Sequence, residues 1–221
     1  FENEHQFRNW RWFKKYSGGP ISDLGAHQID IFNWVFGRPR SVLAGGGVDY
    51  YKTHEWYDNV MCIFDYETPD GVSRAYYQVL TTTSSGGGYF ENFMGIEGSL
   101  RVSEQPSHIK AYAEPNFAEV WKEYAAEGLM TADKVEVKKS DDAGLDSRVS
   151  PPPPAFSLQN RVGSKLAHTF HVENFLRAIK GEAKLTCDAA EAFEAEASIY
   201  RVNEAVAAEK MIHYTEADFA V

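Results

Sequence analysis

The sequence predicts an α+β fold, a large and mostly antiparallel open sheet with helices on one face. Three observations predict it. Between Arg40 and about Leu100, β-branched and aromatic runs follow one another with only turn residues between them; strands that succeed strands without intervening helices pair antiparallel. One helical pattern precedes this region and two close the chain, too few to cover both faces of a broad sheet. The chain has 221 residues, 43% hydrophobic and 24% charged, which is enough for one large domain with a real core and excludes a disordered or fibrous polypeptide.

The elements follow in order. After Gly18-Gly19-Pro20, apolar residues recur at helical spacing from Ile21 to Phe36, with Ser22 or Asp23 able to cap the start and Gly37 and Pro39 stopping the helix. Strand patterns then cover Ser41 to Ala44, Asn59 to Tyr66, Ser73 to Thr83, Tyr89 to Met94 and Ser99 to Val102. Pro69-Asp70-Gly71 and Glu97-Gly98 are turn signals between them. His108 to Ala113 reads as a further strand, Phe117 to Glu127 as a short helix and Lys134 to Lys138 as a short edge strand. The acidic, proline-terminated run from Lys139 to Pro154 reads as an exposed excursion, so 1–221 is taken as one domain with an irregular part around 104–160. Helices from about Ser164 to Lys180 and from Asp188, as N-cap, to Ala208 precede a last strand, Met211 to Tyr214. The uncovered sheet face, with Tyr66, Tyr76, Tyr77, Tyr89 and Phe93 among its possible contributors, would expose a large apolar patch, which predicts self-association into a homo-oligomer.

Charge narrows the partners. Lys and Arg number 22 against 32 Asp and Glu, so 22 − 32 = −10, and there is no basic block; nucleic acid and anionic membranes are excluded as expected partners. No apolar run approaches the roughly 20 residues of a membrane-crossing helix. Cys62 and Cys187 stand far apart and outside any CxxC spacing, which argues against a disulfide framework or thiolate metal site and fits a reducing compartment, with the cytoplasm as default. The chain opens at Phe1 on an aromatic-rich segment and reads as a piece of a longer or processed polypeptide, so export remains open.

One constellation carries chemistry. Asp23, His27, Asp30 and Trp34 are spaced four, three and four along the first helix, on one stripe near its start. A carboxylate one turn before an imidazole can fix its tautomer, as proton transfer requires, and the helix N-terminus favours the negative charge of Asp23. The same spacing also fits a surface ion pair. Trp10, Arg11, Trp12 and Tyr16 lead into the glycines; aromatic faces and a guanidinium suit a sugar, and they equally suit a packed connection between domains. His168 and His171 lie three apart on a later helix, where capping or burial is the simpler account.

The run Ser17-Gly18-Gly19-Pro20-Ile21-Ser22-Asp23-Leu24-Gly25-Ala26-His27-Gln28-Ile29-Asp30 resembles the opening of the C-terminal domain of the Gfo/Idh/MocA family, the glucose-fructose oxidoreductases and inositol dehydrogenases. Tyr89 to Leu100, His171-Val172-Glu173-Asn174-Phe175-Leu176 and Asp188-Ala189-Ala190-Glu191-Ala192 extend the resemblance over most of the chain, most weakly from about Glu104 to Asn160. The resemblance implies that His27 is the catalytic acid/base exchanging a proton with a substrate hydroxyl, that Asp23 orients it or binds the sugar, and that Asp30 supports them. Trp10, Arg11, Tyr16, Asp30 and His171 are the expected substrate-binding residues, and the resemblance implies oxidation of a sugar or polyol carbinol by hydride transfer to NAD or NADP.

The family's Glu-Lys-Pro motif is absent, and so is a Gly-x-Gly-x-x-Gly between a strand and a helix. Gly45-Gly46-Gly47 and Gly86-Gly87-Gly88 read as sheet glycines instead. The chain is therefore expected to be the substrate-binding half of a dehydrogenase, inactive without an N-terminal nucleotide-binding domain and binding no cofactor alone. Two alternatives stand beside this reading. One is a metal-dependent sugar isomerase or lyase with Asp23, His27, Asp30 and His171 as ligands; the other is a non-catalytic sugar-binding or assembly module.

Overall fold

The computed structural model of the protein describes residues 1–83, 90–103, 105–133, 153–159 and 163–220. In chain order the elements are α1 (Glu4–Arg8), α2 (Pro20–Phe36), β1 (Pro39–Gly47), β2 (Asn59–Thr68), β3 (Gly71–Leu80), β4 (Phe90–Met94) and β5 (Gly98–Ser103). They continue with β6 (Lys110–Ala113), α3 (Ala118–Ala126), β7 (Met130–Ala132), β8 (Ala155–Leu158), α4 (Ala167–Ile179), α5 (Ala189–Ala208) and β9 (Ile212–His213). The chain divides into two compact units, Phe1–Ser84 with His171–Val221, and Ser85–Phe170.

The first unit holds a four-stranded sheet in the order β3-β2-β1-β9, every pair antiparallel. The Pro69-Asp70 turn closes the β2–β3 hairpin with Thr68 opposite Gly71, whose φ of +119° is open to glycine and not to other residues. Side chains alternate across β2, so Val60, Cys62, Phe64 and Tyr66 all point to one face and are fully buried there. On that face they meet Ile21 and Ile29 from α2, Val42 from β1, Ala75 and Val79 from β3, and Ile199, Val202, Ala205 and Val206 from α5. The two helices thus cover one face of this sheet, as the sequence predicts. A buried polar chain crosses the same core. The Tyr66 hydroxyl donates to Asn33 Oδ1 at 3.2 Å, Asn33 Nδ2 donates to Ser198 Oγ at 3.4 Å, and the Tyr214 hydroxyl donates to the Ser198 carbonyl at 2.6 Å. Burial pushes the Tyr66 and Tyr214 phenols well above the ordinary tyrosine range.

The second unit holds a five-stranded antiparallel sheet, β4-β5-β6-β8-β7. Its small core is Ala111, Ala113 and Phe156, with Leu100, Trp121, Ala125 and Met130 packed on it. Gly98 is required there, because a Cβ would stand 2.4 Å from the Tyr112 carbonyl oxygen and 2.5 Å from the Trp121 ring. Lys110 Nζ donates to Asp133 Oδ2 at 2.5 Å and to Ser157 Oγ at 2.7 Å, tying three segments together.

The α+β antiparallel class agrees with the sequence, but the strands form two sheets and not one. At the end of β3 the Thr81 N–H and hydroxyl both donate to the Asp58 carbonyl, at 3.1 and 2.9 Å, one step beyond the Asn59–Leu80 pair. Two residues expected on the bare face are also corrected: Tyr66 is fully buried against the helices, and Tyr77, opposite Cys62 in the register, shares that side. The β2 run is apolar at successive positions, so composition does not fix which parity faces inward. The bare face carries Leu43, Met61, Ile63 and Tyr76, of which Tyr76 was expected. Phe93 is partly buried in the second unit's sheet, while Tyr89, Gly86 to Gly88 and Lys134 to Lys138 lie outside the described residues.

The helix ends are mixed. Asp188 caps α5 by accepting from the N–H groups of Ala190 and Glu191, and Gly37 ends α2 at φ +78°, both as expected. Neither Ser22 nor Asp23 caps α2, whose N-cap is Gly19 with Pro20 at the first helical position. Among the described residues no helix is long and apolar enough to cross a membrane.

Candidate functional site

The start of α2 is built by close approach. Gly18 leaves no room for a side chain, since a Cβ would lie 2.7 Å from Ser22 Cβ; Gly19, at φ +83°, would put one 2.7 Å from the Trp56 ring. The segment is clamped from two sides: Trp56 Nε1 donates to the Ser17 carbonyl at 2.7 Å, and Asn203 Nδ2 of α5 donates to the Gly18 carbonyl at 2.8 Å. The chain can therefore enter the helix with its first turn pressed against α5.

Beside this clamp a groove of about 460 Å³ opens within the first unit, with Trp10, Asp23 and His27 on its walls. Ser22, Glu196 and Tyr200 also line it. His27 is exposed to solvent, with this cavity beside it. Asp23 does not hold it. Arg11 Nε donates to Asp23 Oδ2 at 2.7 Å, and among the described hydrogen bonds none joins Asp23 to the imidazole. The guanidinium of Arg11 also lies over the Trp10 ring, 4.5 Å from its centroid. Asp30 stands one turn onward on the same helix. Burial raises the Asp30 pKa first, the Glu191 carboxylate raises it further, and His27 pulls it back. Cys187 is pushed up by burial and then by the charges of Asp30, Glu191 and Asp188, which makes it a poor nucleophile.

Of the residues singled out in the sequence, the groove brings together Trp10, Asp23 and His27, with Arg11 bonded to Asp23. Three others lie off its walls. Tyr16 packs on Phe1, with ring centroids 4.6 Å apart, and its hydroxyl donates to Gln6 Oε1 at 3.3 Å. Asp30 is partly buried beyond His27, and His171 is exposed on α4. Among the described residues no three His, Cys, Asp or Glu side chains converge as a metal site, so the ligand set of the isomerase alternative, Asp23, His27, Asp30 and His171, does not assemble. The groove also uses two residues that sequence reasoning passed over, Glu196 and Tyr200. They are four apart on α5 and so share one of its faces, a signal that was present but pointed nowhere until the helix pairing was known.

The segment carrying Trp10 and Arg11 is steadied by a buried carboxylate. Asp58, 1% exposed, accepts from the N–H groups of Asp49, Tyr50 and Tyr51 at 3.2, 2.8 and 2.8 Å. That loop packs Tyr51 and His54 on the Trp12 ring, His54 at 4.1 Å between centroids. Burial would raise the Asp58 pKa, but the Tyr51 N–H, the Asn59 amide and the Tyr50 and Asp49 N–H groups outweigh it and bring it to about 2. A carboxyl depressed below its ordinary 3.8 contributes stability that is present above that value and lost as pH falls toward 2. Acid unfolding should therefore show a loss of about 2 kcal/mol across that window, and Asp58→Asn should flatten it, read by urea titrations at stepped pH.

The groove lies in an α+β chain whose likeness to known proteins is one of sequence in its first part and of fold over most of its length. A family model described as the GFO/IDH/MocA C-terminal domain matches residues 1–101, so the resemblance seen in the sequence is borne out over that stretch. Solved structures extend the likeness of fold. An NAD-binding protein from Listeria innocua is 19% identical with a TM-score of 0.58, over 93% of this chain and 54% of its own. An NAD binding oxidoreductase from Klebsiella pneumoniae is 15% identical with a TM-score of 0.63, over 94% and 54%. The WlbA dehydrogenase from Bordetella pertussis, solved with NADH and UDP-GlcNAcA, is 13% identical with a TM-score of 0.60, over 97% and 52%. The chain thus spans about half the length of the solved structures it matches. No curated protein matches it.

Proposed function

We propose that this chain is the substrate-binding half of an NAD(P)-dependent oxidoreductase acting on a sugar or polyol carbinol, with His27 as its acid/base. The observation that carries the reading is the convergence of Trp10, Asp23 and His27 on one groove at the head of α2, inside the stretch that matches the oxidoreductase family. A hydroxyl in the groove can give its proton to a ring nitrogen of His27. Asp30 stands one turn beyond His27 on the same helix, and the nearby His27 ring favours its ionised form against burial. Asp23, fixed by Arg11, is a substrate-binding acceptor and not the group that orients the imidazole. Trp10 supplies an apolar face for the ring or chain of the substrate.

The described residues do not fit a dinucleotide. Gly45 to Gly47 lie inside β1, where a Cβ on Gly46 would meet the Asn59 carbonyl at 2.4 Å, and they open no helix. A nicotinamide held by a nucleotide-binding domain outside this chain would supply the hydride acceptor for the carbinol whose hydroxyl proton His27 takes. Calorimetry with the isolated chain tests this division: NADH should give no tight binding, and tight binding by this polypeptide alone would contradict the assignment.

The bare face of the first unit's sheet is the proposed homo-oligomer surface. Leu43, Ile63 and Tyr76 are cross-strand neighbours on it, 43%, 43% and 54% exposed. Ile63→Lys should shift the sedimentation coefficient to that of a monomer; an unchanged value would place the interface elsewhere.

A further inference from the structure

The helix α4 is turned inside out. Val172, Phe175, Leu176 and Ile179 recur along it at i, i+3, i+4 and i+7, the spacing of an apolar stripe that packs on a neighbour. Each of the four is half exposed or more. Asn174 and Ala178, which point away from the stripe, are more buried than it is. Asn174 fixes that orientation: its Nδ2 donates to the Lys184 carbonyl at 2.8 Å, and its Oδ1 accepts from the Thr186 N–H at 3.1 Å. Gly181, at φ +74°, follows the helix, and the chain returns along the Asn174 side. Within the first unit no element packs broadly against α4.

A helix of 13 residues is marginal in water without tertiary packing, and Val, Phe and Ile are not among the strong helix formers. The stripe therefore needs a cover, and magnitudes select it. A stable interface between separate molecules takes about 800 Å² and roughly 20 to 30 residues a side, and a stripe of four side chains falls far short. A domain joined through the peptide chain meets the stripe at an effective concentration of about millimolar for a short linker, so a small apolar contact suffices. The solved structures of like fold carry nearly as much chain again, room for such a domain.

We propose that the outward stripe of α4 docks the nucleotide-binding domain of the same polypeptide, with Val172, Phe175, Leu176 and Ile179 seated in an apolar groove on that domain. The inference rests on the reading of this chain as one half of an oxidoreductase. The stripe takes no part in the proton transfer, which stays with His27.

Leu176→Cys and Ile179→Cys test it, with Lys122→Cys on α3 as an exposed reference. All three are made in a Cys187→Ser background, because Cys187 is an exposed thiol and Cys62 a buried one. Alkylation by iodoacetamide is followed peptide by peptide in mass spectra, in the isolated chain and in the complete oxidoreductase. The stripe thiols should react as fast as the reference in the isolated chain. In the complete protein they should react about ten to a thousand times more slowly, the inverse of an undocked fraction of about 0.1 to 10%, with the reference unchanged. Equal rates at 176 and 179 in the two proteins overturn the inference. So does protection already present in the isolated chain: growing with concentration, it identifies a second copy as the cover, and independent of concentration, the other unit of this chain. Calorimetry with NADH on the complete protein separates the two claims. Binding beside unprotected stripe thiols removes the docking surface alone, and no binding removes the oxidoreductase reading and the inference with it.

Discussion

His27→Ala is expected to lower the turnover of the complete oxidoreductase by about two to four decades, about 3 to 5 kcal/mol of barrier, the usual contribution of a positioned acid/base. The loss should appear in kcat, with KM little changed, because the imidazole is proposed to act on the proton and not to anchor the substrate. His27 is exposed and outside the buried core, so the variant should unfold at the wild-type denaturant concentration. Steady-state kinetics beside a urea titration separates the two effects. An unchanged kcat would remove His27 from the mechanism.

The second large effect concerns the scaffold behind the groove. Phe64 is completely buried in β2, within the core that α2 and α5 share with the sheet. Phe64→Ala should destabilise the first unit by about 3 to 5 kcal/mol, from lost transfer energy and the cavity left behind. Surface neighbours one residue away should behave differently: Ile63 is 43% exposed, and Ile63→Ala should cost about 1 kcal/mol or less in the absence of an oligomer contact. Equilibrium unfolding of both variants checks the contrast. With the chain diluted to the monomer, similar costs at 63 and 64 would contradict this assignment of the two faces of β2.

Much of this architecture is legible in the sequence because it is written in local chemistry. Gly37 at positive φ ends α2, Asp188 caps α5, and Pro69-Asp70-Gly71 turns β2 into β3; each follows from backbone preferences within a few residues. What the sequence hides is set by partners far along the chain. Tyr66 looked like a member of the bare face, and only the pairing of sheet with helices decides its side. The division into two sheets is likewise set by which strands pair, and no local pattern encodes that choice.

The site divides in the same way. The spacing of Asp23, His27 and Asp30 along α2 places them on one stripe, but it cannot assign partners within it. Arg11, twelve positions upstream, reaches Asp23 because the Trp10 segment folds back over the helix start, so the carboxylate expected to serve His27 is bonded to a guanidinium instead. Nothing local to α5 singles out Glu196. Its bond from Ser22 bridges 174 positions of sequence, a separation at which periodicity carries no information.

A crystal of this chain soaked in myo-inositol tests the central claim most directly. The account predicts a bound polyol between Trp10, Glu196 and His27, with one hydroxyl about 2.6 to 3.2 Å from a His27 ring nitrogen, the reach that proton transfer needs. A polyol bound elsewhere on the chain, or in the groove with no hydroxyl near that ring, would contradict it.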